Sequence, residues 1–109
     1  MIGFNDYQVK TNLTAIYPKD KALEYLVLGL ASEAGEVAGK LKKYIRDNDS
    51  VVGVHGASVI CSELGDVLWY ISQIALELNT TLESVAQANI EKLSDRKTRG
   101  VIGGSGDSR

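Results

Sequence analysis

The sequence has little of several features that usually define a class of protein. It contains one cysteine, Cys61, which excludes an internal disulfide and a CxxC metal site. We expect this residue to be a small, buried apolar side chain. The formal net charge is −2, without the excess of Lys and Arg that nucleic-acid binding requires. No apolar run approaches the roughly 20 residues of a transmembrane helix, and the first residues, MIGFNDYQVK, lack the charged-then-apolar order of a signal peptide.

These absences favour a cytoplasmic protein without a nucleic-acid or membrane partner. What remains is a chain of 109 residues, 44% hydrophobic and 24% charged, which is ordinary for one small globular domain. A domain of this size buries about two thirds of its unfolded surface, so it gains stability when further copies associate with it.

Proline is also scarce, with Pro18 alone, and the composition predicts an all-α fold. Apolar residues at helical spacing predict a bundle of four to five antiparallel helices in one domain, residues 1–99. The stretch RDNDS is the clearest helix stop, and VVGVHG is ambiguous between a short strand and a turn. Thr80 or Thr81, followed by Glu83, predicts the start of the last helix. The predicted helices span about 3–15, 20–46, 57–78 and 81–98, and a glycine-rich, non-helical tail follows at 100–109.

Two short segments each place a pair of acidic residues at positions i and i+3. They are Glu33-Ala34-Gly35-Glu36 in the second predicted helix and Glu63-Leu64-Gly65-Asp66 in the third. Residues three apart share a helix face, so each segment projects two carboxylates in one direction. Antiparallel neighbouring helices bring the two pairs together, and four carboxylates at close range need a cation among them. Oxygen ligands without His or Cys select Mg²⁺, with Mn²⁺ able to substitute.

The alternative for either pair alone is a solvated acidic face that pairs with nearby lysines. The duplication of the pair inside apolar helices favours the metal site. The positions of the glycines are consistent with helices that pack closely and leave room for a ligand. Gly35 and Gly65, roughly opposite the acids, predict the close approach of another helix, and Gly29, one turn before Glu33, predicts room for a ligand.

The last predicted helix carries the opposite charge. Asn89, Lys92 and Arg96 lie at i, i+3 and i+7, on one face. Beside an acid-bound cation, such side chains suit a polyphosphate, because the cation bridges phosphate oxygens while Lys and Arg neutralise the remaining charge. The alternative is an ordinary basic last turn that complements the helix dipole.

The spacing of these motifs resembles that of the MazG-like nucleoside triphosphate pyrophosphohydrolases. Glu33-x-x-Glu36 and Glu63-x-x-Asp66, separated by residues 37–62, are similar to the E-x-x-E…E-x-x-D signature of that family. The positions of Asn89, Lys92 and Arg96 resemble its downstream phosphate-contacting residues. The resemblance covers residues 4–100. It implies an all-α NTP pyrophosphatase-like bundle, Mg²⁺ dependence, and hydrolysis of a (d)NTP to (d)NMP and pyrophosphate. It also implies homodimers or homotetramers whose sites are completed between subunits.

The resemblance assigns roles to individual residues. The four acids hold Mg²⁺, and Glu36 orients or deprotonates the attacking water. Lys92 and Arg96 receive the leaving pyrophosphate. Lys40, one turn after Glu36, is either a further substrate contact or a salt-bridge partner of the acids. Tyr70, one turn after the second acidic pair, is a further candidate substrate contact.

Aromatic residues are candidates for holding the base. Phe4, Tyr7 and Tyr70 are the main ones, whereas the position of Trp69 on its helix favours the core. The tail is either a disordered end or a lid whose backbone N–H groups and Arg109 close over phosphates.

Two other functions remain open. One is a non-catalytic helical oligomerisation module that binds metal and nucleotide, although four intact acids are more than binding needs. The other is a related pyrophosphohydrolase of the same superfamily, acting on dUTP or a phosphoribosyl nucleotide, for which the same residues would serve.

Overall fold

Four α-helices and no strands make up the computed structural model, which describes residues 1–109. The helices are α1 (Phe4–Thr11), α2 (Ala22–Asp47), α3 (Gly53–Glu77) and α4 (Leu82–Thr98), with 3₁₀ turns at Asn12–Thr14 and Lys19–Lys21. The predicted all-α fold class is therefore confirmed.

The ends of the helices follow local sequence signals, with one exception. α2 ends at Asp47, within the predicted stop. Thr81 is the N-cap of α4, and its hydroxyl accepts a hydrogen bond from the N–H of Ser84 at 3.0 Å. The exception is VVGVHG, for which neither a strand nor a turn is correct, because α3 already begins at Gly53. Gly53 has a φ of 65°, a left-handed conformation that glycine adopts without strain and that lets the chain turn into the helix.

Helices α2 and α3 form an antiparallel pair at the centre of the molecule. Residues near the start of α2 lie beside the end of α3, as Gly29 does beside Tyr70, and Tyr44 near the end of α2 lies beside Gly56. One stripe of α2 packs against the rest of the chain, and Leu26 within it is fully buried.

A second apolar stripe of α2 has no partner within the chain. We call it the α2 seam; its members are all exposed and are spaced alternately by four and three residues: Val27, Ala31, Ala34, Ala38, Leu41 and Ile45. Helix α3 exposes a similar set at Ala57, Cys61 and Leu64. The prediction that Cys61 is buried is therefore wrong for the single chain, since nothing in the chain covers this side of α3.

A single copy of the chain is open rather than globular. Its radius of gyration is 16.8 Å, whereas a compact domain of this length has about 13 Å. Only five apolar residues are buried: Tyr17, Ala22 and Leu26, which form one cluster, and Ala75 and Leu82. Gly35 and Gly65, where a closely packed helix was predicted, have no atom of the chain within 4 Å of an added Cβ. The close approach of another helix that was predicted at these two glycines therefore does not occur within the single chain.

Helix α3 is long and apolar enough to cross a membrane by length and composition, with 17% of its most apolar window buried. Glu63 and Asp66 lie at the middle of its 25 residues. Each acid at the centre of a bilayer would oppose insertion by about 2.5–3.5 kcal/mol on insertion scales. The position of these two acids argues against insertion of α3 into a bilayer.

The N-terminal segment is attached to α3 by buried hydrogen bonds. Gln73 is fully buried; its Nε2 donates to the Thr11 hydroxyl at 2.8 Å, and its Oε1 accepts from the Tyr17 hydroxyl at 3.0 Å. Thr11 also meets the Ser72 hydroxyl at 3.1 Å, and Gln8 Nε2 donates to the Ser72 carbonyl at 3.3 Å. No buried side-chain polar atom lacks a partner. Polar contacts therefore fix how residues 8–17 lie on α3.

Gln73→Leu is expected to lower the free energy of unfolding by about 1–3 kcal/mol, because it removes two buried hydrogen bonds at nearly constant volume. Urea denaturation measures the loss. Gln87→Leu is the matched control, since Gln87 is exposed and donates only to Glu91, at 2.9 Å. Equal losses in the two variants would contradict a structural role for the buried network.

Candidate active site

Three of the four predicted acids converge in the groove between α2 and α3. Glu33, Glu63 and Asp66 each offer a carboxylate oxygen, and these oxygens all lie within 4.8 Å of one another. The i, i+3 spacing on α3 aims Glu63 and Asp66 in one direction, and the antiparallel pairing of the helices sets Glu33 opposite them. Glu36 is exposed and lies outside this group.

The charges of the cluster act on one another. Burial raises the pKa of Glu33 above its ordinary value, and the charges of Asp66, Glu63 and Glu36 raise it further. Glu36 is therefore close enough to interact electrostatically with the cluster. Lys40 Nζ lies 3.9 Å from the Glu63 carboxylate and supplies one positive charge. Without a cation, like charges at this range disfavour the ionised form of Glu33.

Next to the acids lies a cavity of about 400 Å³ with aromatic walls. Its lining consists of Thr14, Ile16, Tyr17, Tyr25, Glu33, Asp66, Trp69 and Tyr70. The Tyr17 and Tyr25 rings are stacked with centroids 5.6 Å apart, and Trp69 meets Tyr70 edge-on at 5.0 Å. Flat aromatic faces beside carboxylates suit a planar, partly apolar ring whose attached charge is neutralised at the acids.

The sequence predictions about this cavity are only partly correct. Trp69 packs against the buried core cluster, as predicted, but it is half-buried, also lines the cavity, and donates from its indole Nε1 to the Thr14 hydroxyl at 2.8 Å. The space above Gly29 is not free for a ligand, because the Tyr70 ring fills it. Phe4 and Tyr7 do not line the cavity, although burial and the charge of Asp66 raise the pKa of Tyr7.

Gly29→Ala is expected to push the Tyr70 ring into the cavity, because the added Cβ would overlap that ring. We expect nucleotide binding to weaken about tenfold, the loss that 1.4 kcal/mol produces. Fluorescence titration of a nucleotide measures it.

Gly39→Ala is the control for this variant. Nothing lies within 4 Å of its added Cβ, and alanine should stabilise the helix by about 1 kcal/mol. Unchanged binding in Gly29→Ala would show that the position of Tyr70 does not matter for the ligand.

A second cavity, of about 380 Å³, lies on the other side of the acids along the same groove. Lys40, Lys43, Asn48 and His55 contribute to its lining. The α2–α3 groove thus runs from the aromatic cavity, past the carboxylates, to a cavity with cationic side chains.

The predicted residues of α4 lie apart from the acids within the chain. α4 packs on α1 and α3, and none of Asn89, Lys92 and Arg96 lines either cavity. Lys92 Nζ lies 3.1 Å from the Asp107 carboxylate, and Arg96 Nη2 lies 2.9 Å from the same oxygen. The glycine-rich tail therefore folds back on α4 instead of reaching the acids.

The acidic cluster fits a hard divalent cation. Its donors are carboxylate oxygens alone, which suit Mg²⁺ or Mn²⁺. Burial and the neighbouring carboxylates both raise the pKa of Glu33, so a bound cation would favour its ionised form. Glu33, Glu63 and Asp66 would hold the ion, and Glu36, the fourth predicted ligand, lies outside this group.

Comparison with known proteins agrees with this geometry. The profile of the MazG nucleotide pyrophosphohydrolase domain matches residues 21–101, a range that includes all four acids and both helices that carry them. The chain belongs to this family.

The MazG domain has a relative of similar length. The Gene 37 protein of Mycobacterium phage L5 is 46% identical over 109 residues, covering 94% of this chain and 96% of the phage protein. No solved structure matches significantly.

Sequence reasoning missed several residues of this MazG domain site. Tyr17 and Tyr25 form one wall of the aromatic cavity, and Thr14 orients Trp69. Tyr25 is separated from Glu33 by about two helical turns on α2, so helical periodicity places it near the acidic face. Nothing in the sequence marks Thr14 or Tyr17, because their position depends on contacts with a distant part of α3.

Proposed function

We propose that this MazG domain is a Mg²⁺-dependent nucleoside triphosphate pyrophosphohydrolase that converts a (d)NTP to (d)NMP and pyrophosphate. The observation that carries the proposal is the order of features along the α2–α3 groove. Aromatic faces for a base lie on one side of the carboxylate cluster, and cationic side chains for phosphates lie on the other. The family match supports the reaction class. Removal of damaged or surplus nucleotides from the cellular pool suits such an enzyme in the cytoplasm.

The proposed reaction is attack of water on the α-phosphorus. The new bond joins the water oxygen to that phosphorus, and the bond to the oxygen bridging the α- and β-phosphates breaks. Glu36 is the proposed base that orients the water and accepts its proton, because it adjoins the cluster but is exposed and outside it. Magnesium, when bound, supplies Lewis-acid stabilisation of charge on the phosphate oxygens. Tyr70 and its aromatic neighbours bind the base, and Lys40 neutralises phosphate charge.

We propose further that the working unit is a homodimer or homotetramer. The open α2 seam, the exposed apolar residues of α3 and the bare Gly35 and Gly65 all lie on the two central helices. Small and apolar residues at alternating four- and three-residue spacing suit close helix pairing. Asn89, Lys92 and Arg96 lie away from the acidic cluster of the same chain. We infer that they complete the active site of a neighbouring subunit.

The test is an assay of the purified protein with Mg²⁺ against a panel of canonical and modified nucleoside triphosphates. The expected products are the monophosphate and pyrophosphate, with no turnover in EDTA. In water labelled with ¹⁸O, the label should enter the monophosphate. Label in orthophosphate, with a diphosphate product, would mean attack at the γ-phosphorus and would overturn the proposal. Nucleotide binding without turnover of any substrate would indicate a binding module.

A further inference from the structure

The last residues of the chain form a folded loop organised around one side chain. The Arg109 guanidinium donates hydrogen bonds to four main-chain carbonyls, those of Val101 (3.3 Å), Ile102 (3.1 Å), Gly103 (3.0 Å) and Gly106 (2.5 Å). Positive φ angles at Gly104 (90°) and Gly106 (84°) let the backbone curl around it. Residues 101–109, which we call the C-terminal loop, are therefore held together as a unit.

The C-terminal loop is attached to α4 through Asp107 and, at the end of the helix, through a hydrogen bond that Arg99 Nη2 donates to the main-chain oxygen of Arg109 at 2.8 Å. Arg96 Nη2 donates to the main-chain oxygen of Asp107 at 2.7 Å and to its carboxylate at 2.9 Å. Lys92 Nζ donates to the same carboxylate oxygen at 3.1 Å. Two cations thus converge on one anionic oxygen. The arrangement is an anion-binding site whose occupant is a carboxylate of the chain itself.

The two sides of this contact differ in their exposure. The side chain of Arg96 is 6% exposed, whereas that of Asp107 is 82% exposed. An exposed carboxylate contributes little to stability through each ion pair, so an external anion can replace it at small cost. Lys92 and Arg96 together lower the pKa of Asp107. They nevertheless bind its carboxylate only weakly, because water competes for this exposed group.

A phosphate group suits the same two donors better than a carboxylate does. It presents more acceptor oxygens and a larger charge, and the planar guanidinium of Arg pairs with two of those oxygens at once. Lys92 is 42% exposed and open to such a ligand. Arg96 becomes open only when Asp107 leaves.

We propose that Asp107 is an intramolecular competitor that occupies a pyrophosphate site formed by Lys92 and Arg96. Binding of the terminal phosphates displaces the carboxylate and releases the C-terminal loop from α4. The proposal deepens the proposed function, on which it rests for the identity of the phosphate ligand. The loop thereby lowers the affinity of the free protein for phosphates, since only the fraction with an open loop is competent to bind.

The test is calorimetric titration of the full-length protein with inorganic pyrophosphate in metal-free buffer, where the acidic cluster contributes no bound cation. Asp107→Asn should bind pyrophosphate about tenfold more tightly than the wild type, the gain expected if the loop is open about one tenth of the time. Asp95→Asn is the matched control. It removes the same charge from the same region, but Asp95 pairs with Arg99 at 2.8 Å and not with Lys92 or Arg96. An equal gain in the control, or weaker binding by Asp107→Asn, would overturn the proposal.

A second measurement follows the loop directly and does not depend on a variant. When pyrophosphate saturates the wild-type protein, the NMR contacts between Asp107 and the side chains of Lys92 and Arg96 should disappear, whereas the contacts around Arg109 within the loop should remain. Asp107 contacts that persist while pyrophosphate binds would mean that the anion binds elsewhere, and the proposal would fall. Neither measurement requires turnover, so a protein that hydrolyses no nucleotide but shows both effects would overturn the proposed function alone.

Discussion

Asp66→Asn is expected to reduce nucleotide turnover about 1,000-fold, which corresponds to about 4 kcal/mol of lost transition-state stabilisation. The change keeps the size of the side chain but removes one of the three clustered carboxylates that would hold the cation. Glu36→Gln should cause a comparable loss, since it removes the proposed base. Steady-state assays of pyrophosphate release measure both. Glu24→Gln is the control, because Glu24 is an exposed acid in the first turn of α2, the helix that also carries Glu36.

Thermal unfolding separates the two roles. In the wild type, Mg²⁺ at about 100 times its dissociation constant should add about 2.7 kcal/mol of stability. Asp66→Asn should lose most of this gain and Glu36→Gln should keep more of it. Wild-type turnover in both variants, or full activity in EDTA, would contradict the metal site.

The same thermal-unfolding experiment also tests a prediction about the pH dependence of stability at Glu33. Its pKa is raised in the folded protein, so the ionised form is disfavoured by folding. Stability is then lost as the pH rises through that pKa. Glu33→Gln should therefore raise the melting temperature in EDTA at neutral pH while abolishing the gain from Mg²⁺.

Leu41→Lys is expected to convert the protein to monomers and to reduce turnover at least about 100-fold. Leu41 lies in the α2 seam and is about half exposed in the single chain. In a two-fold dimer the substitution occurs on both sides of the interface, so its effect is doubled. Light scattering at micromolar concentration measures the assembly.

Leu13→Lys is the matched control for this change. Leu13 is an exposed leucine in a 3₁₀ turn outside the seam, and the variant should remain oligomeric. A wild-type protein that is monomeric and fully active would contradict the assembly and the shared site together. Monomers of Leu41→Lys with normal turnover would contradict only the sharing of the site.

The parts of the structure that depend on local sequence were predictable. The 3.6-residue periodicity gives the helices, the cap at Thr81 follows from its own neighbours, and the paired acids share a face because of their spacing. The start of α3 was misjudged because two glycines disfavour a helix in isolation, whereas packing against α2 supports it. Tyr44, for example, lies beside Gly56.

The errors concern what lies next to a residue in space. Sequence gave no reason to place the Tyr70 ring over Gly29, since the two residues are on different helices. Cys61 was expected to be buried because of its residue type, but residue type does not determine whether another part of the chain covers that side of α3. The inward-facing carbonyls around Arg109 depend on peptide orientations in a glycine-rich loop, and side-chain patterns carry no information about these.

The hydrogen bonds that join the N-terminal segment to α3 also set an order of folding. Gln8 and Ser72 are 64 positions apart, and Tyr17 and Glu77 are 60 apart, so these contacts close long loops at a large entropic cost. The α2–α3 hairpin closes through a turn of a few residues and forms sooner. During synthesis, Thr14 and Tyr17 emerge from the ribosome first but find their partners only after the end of α3 has been made. The aromatic cavity is consequently expected to assemble after the α2–α3 hairpin, although half of its wall is encoded near the beginning of the chain.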